Sequence, residues 1–143
     1  MEFLNHHIYL QNKRNYLSKY KLYYSHGTGH GVGNFGDVHE KYPLISQKSD
    51  DYLTNNNIFS IEPGYYVEGK FGLRLENLYI TENFNNCMKL KNITFVPYDL
   101  NLVDFKLITM HEKNYIKRYH ERIYQTFQPR LSNEHKKYFF KKI

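Results

Sequence analysis

The sequence has no tryptophan, no alanine and a single cysteine. One thiol, Cys87, excludes an internal disulfide framework, and so excludes the small secreted scaffolds that depend on one. No apolar run approaches the roughly 20 residues needed to cross a bilayer. The opening residues, MEFLNHHIYL, lack the basic-then-apolar layout of a signal peptide. These absences lead us to expect a soluble intracellular chain, in the cytoplasm, with no membrane partner. The missing alanine accompanies an abundance of Lys, Asn and Tyr, a skew that reads as codon usage and carries no chemistry.

What is present is enough for one domain. The chain has 143 residues, of which 41% are hydrophobic and 17% aromatic, so composition does not mark it as disordered. The formal net charge is +6, with cations gathered after residue 105 in Lys113, Lys117, Arg118, Arg122, Arg130 and the closing KKYFFKKI. A basic balance of this kind raises the possibility of a nucleic-acid binder. No nucleic-acid motif accompanies the charge, and a solvated helix face on a Lys-rich chain is the better reading, with a basic nucleic-acid-binding domain the weakest alternative. Our expectation is no nucleic-acid partner.

Residues 10–21 suit a short helix with Leu10, Tyr16, Leu17 and Tyr20 on one side, and LYYS (22–25) reads as a strand leading into a glycine-rich stretch. QKSDDYLTNNN (47–57) reads as a surface loop. NIFSIEPGYYV then gives a strand, a Pro-Gly turn and a second strand. LRLENLYIT (73–81) reads as one strand. Its alternation would place Arg74 and Glu76 side by side, with Leu73 and Leu75 turned into the core. ITFVPYDL (93–100) reads as a further strand. Thr109 to Glu112 forms a capping box before a helix that runs to about Phe127, with Tyr115, Tyr119 and Ile123 on its apolar stripe and Pro129 at its end.

The run GVGNFGDV (31–38) matches the glycine loop of protein kinases and also the dinucleotide pattern G-x-G-x-x-G. Neither context follows. There is no strand lysine, H-R-D or D-F-G downstream, and VHEKYPLIS, with Pro43 inside it, is a poor helix start. Extended backwards, the run becomes HGTGHGVGNFGDVHE, in which His26, His30 and His39 punctuate a backbone that glycine allows to pack closely. Imidazole at this density suits metal binding, carbonyl polarisation or proton transfer. His6, His7, His111, His120 and His135 are read as ordinary surface or core residues. Glu62 and Glu76 lie within apolar surroundings, where a carboxylate needs a partner or a metal. Arg74 offers a salt bridge as the alternative. One His and two Glu form a plausible set for Mn²⁺, Zn²⁺ or Co²⁺.

Taken in order, HGTGHGVG, VHE, SIEPGYY and FGLRLENLYIT closely resemble the C-terminal catalytic domain of Xaa-Pro aminopeptidases, members of the pita-bread metallopeptidases. The resemblance continues through ITFVPYDLNLVDFKLIT and NYIKRYHERI and covers about residues 15–127. It implies an α+β fold, the C-terminal part of a pita-bread (creatinase/aminopeptidase-like) domain, with a curved antiparallel sheet flanked by helices. Residues 1–128 would form a partial metallopeptidase catalytic domain and 129–143 a basic C-terminal tail. The implied metal ligands are His30, Glu62 and Glu76, with Glu62 also the general base. His26 and His39 would hold substrate and assist proton transfer, Arg74 would orient substrate and carboxylates, and Tyr65 and Tyr66 would line the pocket. The implied substrates are peptides with proline at the second position.

The full family site also uses two aspartates upstream of the histidine, and two divalent ions, for which Mn²⁺ is expected. This sequence has no Asp before Asp37, and Glu2 is the sole acid before His30. The expectation is therefore a chain without the first metal-binding half, holding at most one ion and inactive alone, with that missing half as its partner. A truncated gene model, a fragment and a degenerate relative all remain open. The alternative reading is a non-catalytic remnant that binds metal or forms a homodimer.

Overall fold

The computed structural model describes residues 17–46, 49, 51–85 and 87–140, with side chains to residue 137. The chain forms two compact units, Met1–Thr94 and Phe95–Ile143. Most of the helix expected over 10–21 lies outside the described residues; Leu17 and Ser18 are helical and 19–21 form a turn.

The first unit is built from antiparallel strands. β1 (Gly29–Gly31), β2 (Glu40–Ile45), β3 (Ile58–Ile61), β6 (Asn77–Phe84) and β7 (Cys87–Asn92) form a five-stranded sheet in the order β2-β1-β3-β6-β7. β4 (Gly64–Val67) and β5 (Phe71–Arg74) form a separate hairpin, turned through Gly69 at a φ of 68°. Alternation decides the faces of β3: Phe59 and Ile61 point into a core with Ile45 and Leu53, against which Tyr79, Met88 and Leu90 pack. Ser60 therefore points to the opposite face, as does Glu62 one step beyond the strand. Gly31 pairs with Phe59, which sets His30 across from Ser60. The register thus delivers His30, Ser60 and Glu62 to one side, away from the apolar core.

Three expectations for this unit change. LYYS is not a strand: the Leu22 amide closes back on the Leu17 carbonyl (3.1 Å), and sheet pairing starts only at Gly29. LRLENLYIT is not one strand, because its partner changes midway. β5 pairs with β4, the Leu75 amide donates to the Pro63 carbonyl at 3.1 Å, and from Asn77 onward the chain pairs with β3. Arg74 and Glu76 are consequently not same-face neighbours of one strand, and Leu73 and Leu75 are 43% and 52% exposed rather than in the core. ITFVPYDL is irregular, as Pro97 cannot donate to a ladder; the edge strand is instead β7, just upstream. The strand-turn-strand reading over 58–67 holds, as does the loop over the described part of 47–57.

In the second unit, α1 (Met110–Phe127) opens with the expected capping box. Thr109 accepts from the Glu112 amide, and Glu112 accepts from the Thr109 amide at 2.7 Å. These donors hold the Glu112 carboxyl below its usual range, the Thr109 amide first and the hydroxyl second. Tyr119 and Ile123 are buried while Tyr115 is 38% exposed, so the apolar stripe is narrower than its spacing implied. His120 is buried and accepts from the Tyr98 amide at 3.1 Å. Burial pushes its imidazole below the ordinary value. Pro129 sits in a short 3₁₀ turn after α1, and α2 (Asn133–Phe140) follows in the stretch expected to be a basic tail.

Candidate active site

The candidate site begins with two glycines that leave room for one histidine. A Cβ at Gly29 would lie 1.9 Å from the Ser60 carbonyl oxygen, and one at Gly31 would lie 2.0 Å from that of Tyr42. Only glycine lets β1 slot between β3 and β2 at this distance. His30 is then the one side chain that the strand carries.

Its imidazole is fixed by a local bond. His30 Nδ1 lies 2.7 Å from the Gly31 carbonyl oxygen. A carbonyl can only accept, so this bond assigns the proton to Nδ1. In the neutral ring Nε2 then carries a lone pair, and it faces Glu62 Oε1 at 3.1 Å. That oxygen already accepts from the Ser60 hydroxyl at 3.0 Å. Two acceptors therefore meet head-on. The arrangement is satisfied by a second proton on the ring or by a cation that both atoms ligate. The donor spacing fits the latter, since two ligands of one ion with bonds of about 2.0–2.2 Å lie roughly 3 Å apart.

Glu62 is only 7% exposed, so its charge needs compensation. Arg74 supplies it, with a guanidinium nitrogen 3.2 Å from Oε2. A second chain of hydrogen bonds starts from the same arginine. Arg74 Nε donates to the Tyr66 hydroxyl at 2.9 Å, and that hydroxyl lies 2.9 Å from His26 Nε2. His26 Nδ1 lies 2.7 Å from the Gly27 carbonyl. The carbonyl again fixes the proton on Nδ1, so Tyr66 donates to Nε2. The Tyr66 hydroxyl is the main cause that raises the Arg74 pKa above its ordinary value, with the charges of Glu62 and Glu76 acting in the same direction. Arginine is thus held permanently cationic beside Glu62.

The sequence-predicted residues divide accordingly. His30, Glu62, Arg74, Tyr66 and His26 form one connected network. His39 is exposed, and its ring centroid lies 4.4 Å from that of His30. Tyr65 leaves β4 on the face opposite Tyr66 and packs against Phe71 at 5.9 Å. Glu76 lies exposed in the link between β5 and β6. Among the described residues no three His, Cys, Asp or Glu side chains converge as a metal-holding group, so Glu76 does not join His30 and Glu62 here. Ser60 is the residue that the sequence reading missed. Its signal was available in the two-residue spacing from Glu62 in SIEPG, which puts both on one face of a strand.

Comparisons with known proteins identify the family. Residues 7–83 match metallopeptidase family M24, and residues 86–143 match the C-terminal region of peptidase M24. A probable Xaa-Pro aminopeptidase P of Pyrenophora teres f. teres is 42% identical over 123 residues, covering 78% of this chain and 19% of that protein. Mouse Xaa-Pro aminopeptidase 2 is 39% identical over 115 residues, covering 77% of this chain and 17% of its own length. The crystal structure of a Caenorhabditis elegans X-prolyl aminopeptidase, described as a cytosolic enzyme with a di-nuclear active site, superposes with a TM-score of 0.77 at 33% identity. It matches 88% of this chain and 22% of that one. The chain thus spans about a fifth of the length of the relatives it matches. Matched by the family over 7–83 and by its C-terminal region beyond, the chain belongs to metallopeptidase family M24, with part of the α+β pita-bread fold.

Proposed function

We propose that the chain carries part of the catalytic centre of a metallo-exopeptidase of the Xaa-Pro aminopeptidase type, which removes an N-terminal residue preceding proline. The observation that carries this reading is the His30–Glu62 pair: a ring nitrogen with its lone pair free, facing a buried carboxylate at 3.1 Å. His30 Nε2 and Glu62 would hold a divalent ion, Mn²⁺ in our reading, with Zn²⁺ and Co²⁺ compatible with the donor set. Glu76 is the third donor in this reading and reaches the ion only by a rearrangement of the β5–β6 link. A bound metal supplies water activation and carbonyl polarisation. Glu62, paired with Arg74, would accept a proton from water. His39, exposed beside His30, would donate to the substrate carbonyl oxygen in this reading. His26, its tautomer set by Gly27 and Tyr66, and Tyr66 itself would contact substrate in this reading. Peptides with proline second are the expected substrates, and the cytosol of the C. elegans relative is the compartment we assign.

Three donors hold at most one ion, and a di-nuclear site of the family type needs two aspartates that the residues before His30 do not include. Turnover is therefore proposed to require a segment that supplies them. Mn²⁺ titration followed by electron paramagnetic resonance should show weak binding that Glu62→Gln abolishes. The chain alone should cleave an X-Pro peptide no faster than Glu62→Gln, and co-expression with an upstream segment carrying both aspartates should restore Glu62-dependent turnover. Mn²⁺ binding indifferent to both Glu62→Gln and His30→Ala would overturn the site. Glu62-dependent turnover by the chain alone would overturn the need for a second segment.

A further inference from the structure

Ser60 is fully buried, yet it is neither in the apolar core nor among the ligand candidates. Its Oγ accepts the His30 backbone amide at 3.0 Å and lies 3.0 Å from Glu62 Oε1. The His30 carbonyl is farther, at 3.5 Å. A hydroxyl has one proton, and a charged carboxylate at the shorter distance takes it in preference to a distant neutral carbonyl. The order is therefore fixed: His30 amide to Ser60 hydroxyl to Glu62 carboxylate. The carboxylate oxygen that receives this bond is the same one that faces His30 Nε2. Arg74 holds the other oxygen.

We infer that Ser60 is a positioning residue for this centre, a cross-strand clamp that ties the backbone of one donor residue to the carboxylate of the other. It fixes which oxygen of Glu62 is presented to His30 and prevents the carboxylate from rotating onto Arg74 with both oxygens. The clamp deepens the metal-centre reading, and its affinity consequence rests on that reading, whereas the placement of the His30 ring does not.

The test uses the full chain with ¹⁵N-labelled histidine, without metal and at one pH. Ser60→Ala should shift both His30 ring nitrogen resonances while leaving amide exchange protection across the β3–β6 pairing intact. Ser60→Thr, which keeps a hydroxyl, should return the ring signals toward wild type, a rescue that a role in filling space alone does not give. Should Ser60→Ala fail to fold, Ser60→Cys takes its place, being close in volume with a weaker donor, and is expected to shift the ring signals in the same direction. Unchanged His30 ring signals in a folded variant overturn the inference. In the metal arm, Ser60→Ala should weaken Mn²⁺ binding about 10–100-fold, the usual effect of losing a group that orients a ligand. Wild-type chain that binds no Mn²⁺ overturns the metal-site reading of His30 and Glu62, and the ring signals still decide the role of Ser60.

Discussion

Replacing Gly29 by alanine should be far more damaging than the same change two residues earlier. At Gly29 the added Cβ meets the Ser60 carbonyl oxygen at 1.9 Å, a backbone atom that no side-chain rotation can clear. Ordinary contact begins at 3.4 Å, so β1 and β3 must separate by about 1.5 Å to restore normal packing. Hydrogen bonds across this gap include Glu62 amide to Thr28 carbonyl at 2.7 Å, Val32 amide to Ile58 carbonyl at 2.9 Å, and His30 amide to Ser60 hydroxyl at 3.0 Å. Separation on that scale takes each beyond about 4 Å, past any useful bond. At about 1 kcal/mol net apiece, the loss is roughly 3 kcal/mol. That is a large share of a stability of about 5–15 kcal/mol.

Gly27 provides the control. A Cβ there meets only ordinary contacts, the nearest at 3.6 Å, and no positive φ opposes it. Gly27→Ala should be neutral or stabilising by about 0.4–1 kcal/mol, through the reduced freedom of the unfolded chain. Urea titrations followed by circular dichroism would read both. With a slope of about 1–3 kcal/mol per molar, Gly29→Ala should lower the midpoint by about 1–3 M. Equal midpoints for the two variants would refute the strand spacing on which the placement of His30 depends.

The second unit offers two further tests. Burial holds the His120 pKa below its ordinary value, so its contribution to stability is complete above about pH 6.5 and disappears as pH falls through the lowered folded value. The urea midpoint of wild type should accordingly fall more between pH 7.5 and pH 5 than that of His120→Gln, and equal falls would count against a buried neutral ring. Thr109→Ala removes the cap of α1 and should cost about 1 kcal/mol at neutral pH. Of the two Thr109 bonds that keep Glu112 below its usual range, the amide first and the hydroxyl second, Thr109→Ala removes only the hydroxyl one, whose contribution is present above the ordinary carboxylate pKa and lost as pH drops through the folded value. The difference between Thr109→Ala and wild type should therefore shrink in acid, and a pH-independent difference would contradict the bond from the Thr109 hydroxyl to Glu112.

How much of this was legible depends on whether the information is local. SIEPGYY announces its own turn, so β3 and β4 follow from the string, and Thr109 with Glu112 specifies a helix start within four residues. The close packing of β1 was likewise readable from Gly29 and Gly31 around His30. The break between β5 and β6 was not, because FGLRLENLYIT keeps the composition of a strand throughout. What ends β5 is a change of partner, with β4 on one side of Leu75 and β3 on the other, and a period-2 pattern carries no record of which strand it pairs with. That single misreading set Glu76 beside Arg74 on one strand face and turned Leu73 and Leu75 into the core. β7 was missed although its signal existed: Met88 and Leu90 alternate with Lys89 and Lys91 and pack on the core.

The glycine run itself shows why motif and context must be weighed together. In a phosphate-binding loop the glycines lead from a strand into a helix, whose free amides and dipole receive the anion. Here GVGNFGDV leads from β1 to β2, two neighbouring antiparallel strands, and no helix follows. The Val32 amide goes to the Ile58 carbonyl of β3, and the Gly33 amide closes onto the Asp37 carbonyl at 3.2 Å. The amides that would cradle a phosphate are thus spent on the sheet and on the loop's own turn. Gly31, with Gly29 just before the run, is glycine because β1 is squeezed between two backbones, and that squeeze brings the amide of His30 to Ser60 and its ring to Glu62; Gly36 instead supplies a φ of +116° in the loop. Gly31, the first glycine of the nucleotide-like pattern, is thus required by the geometry of a histidine–carboxylate pair.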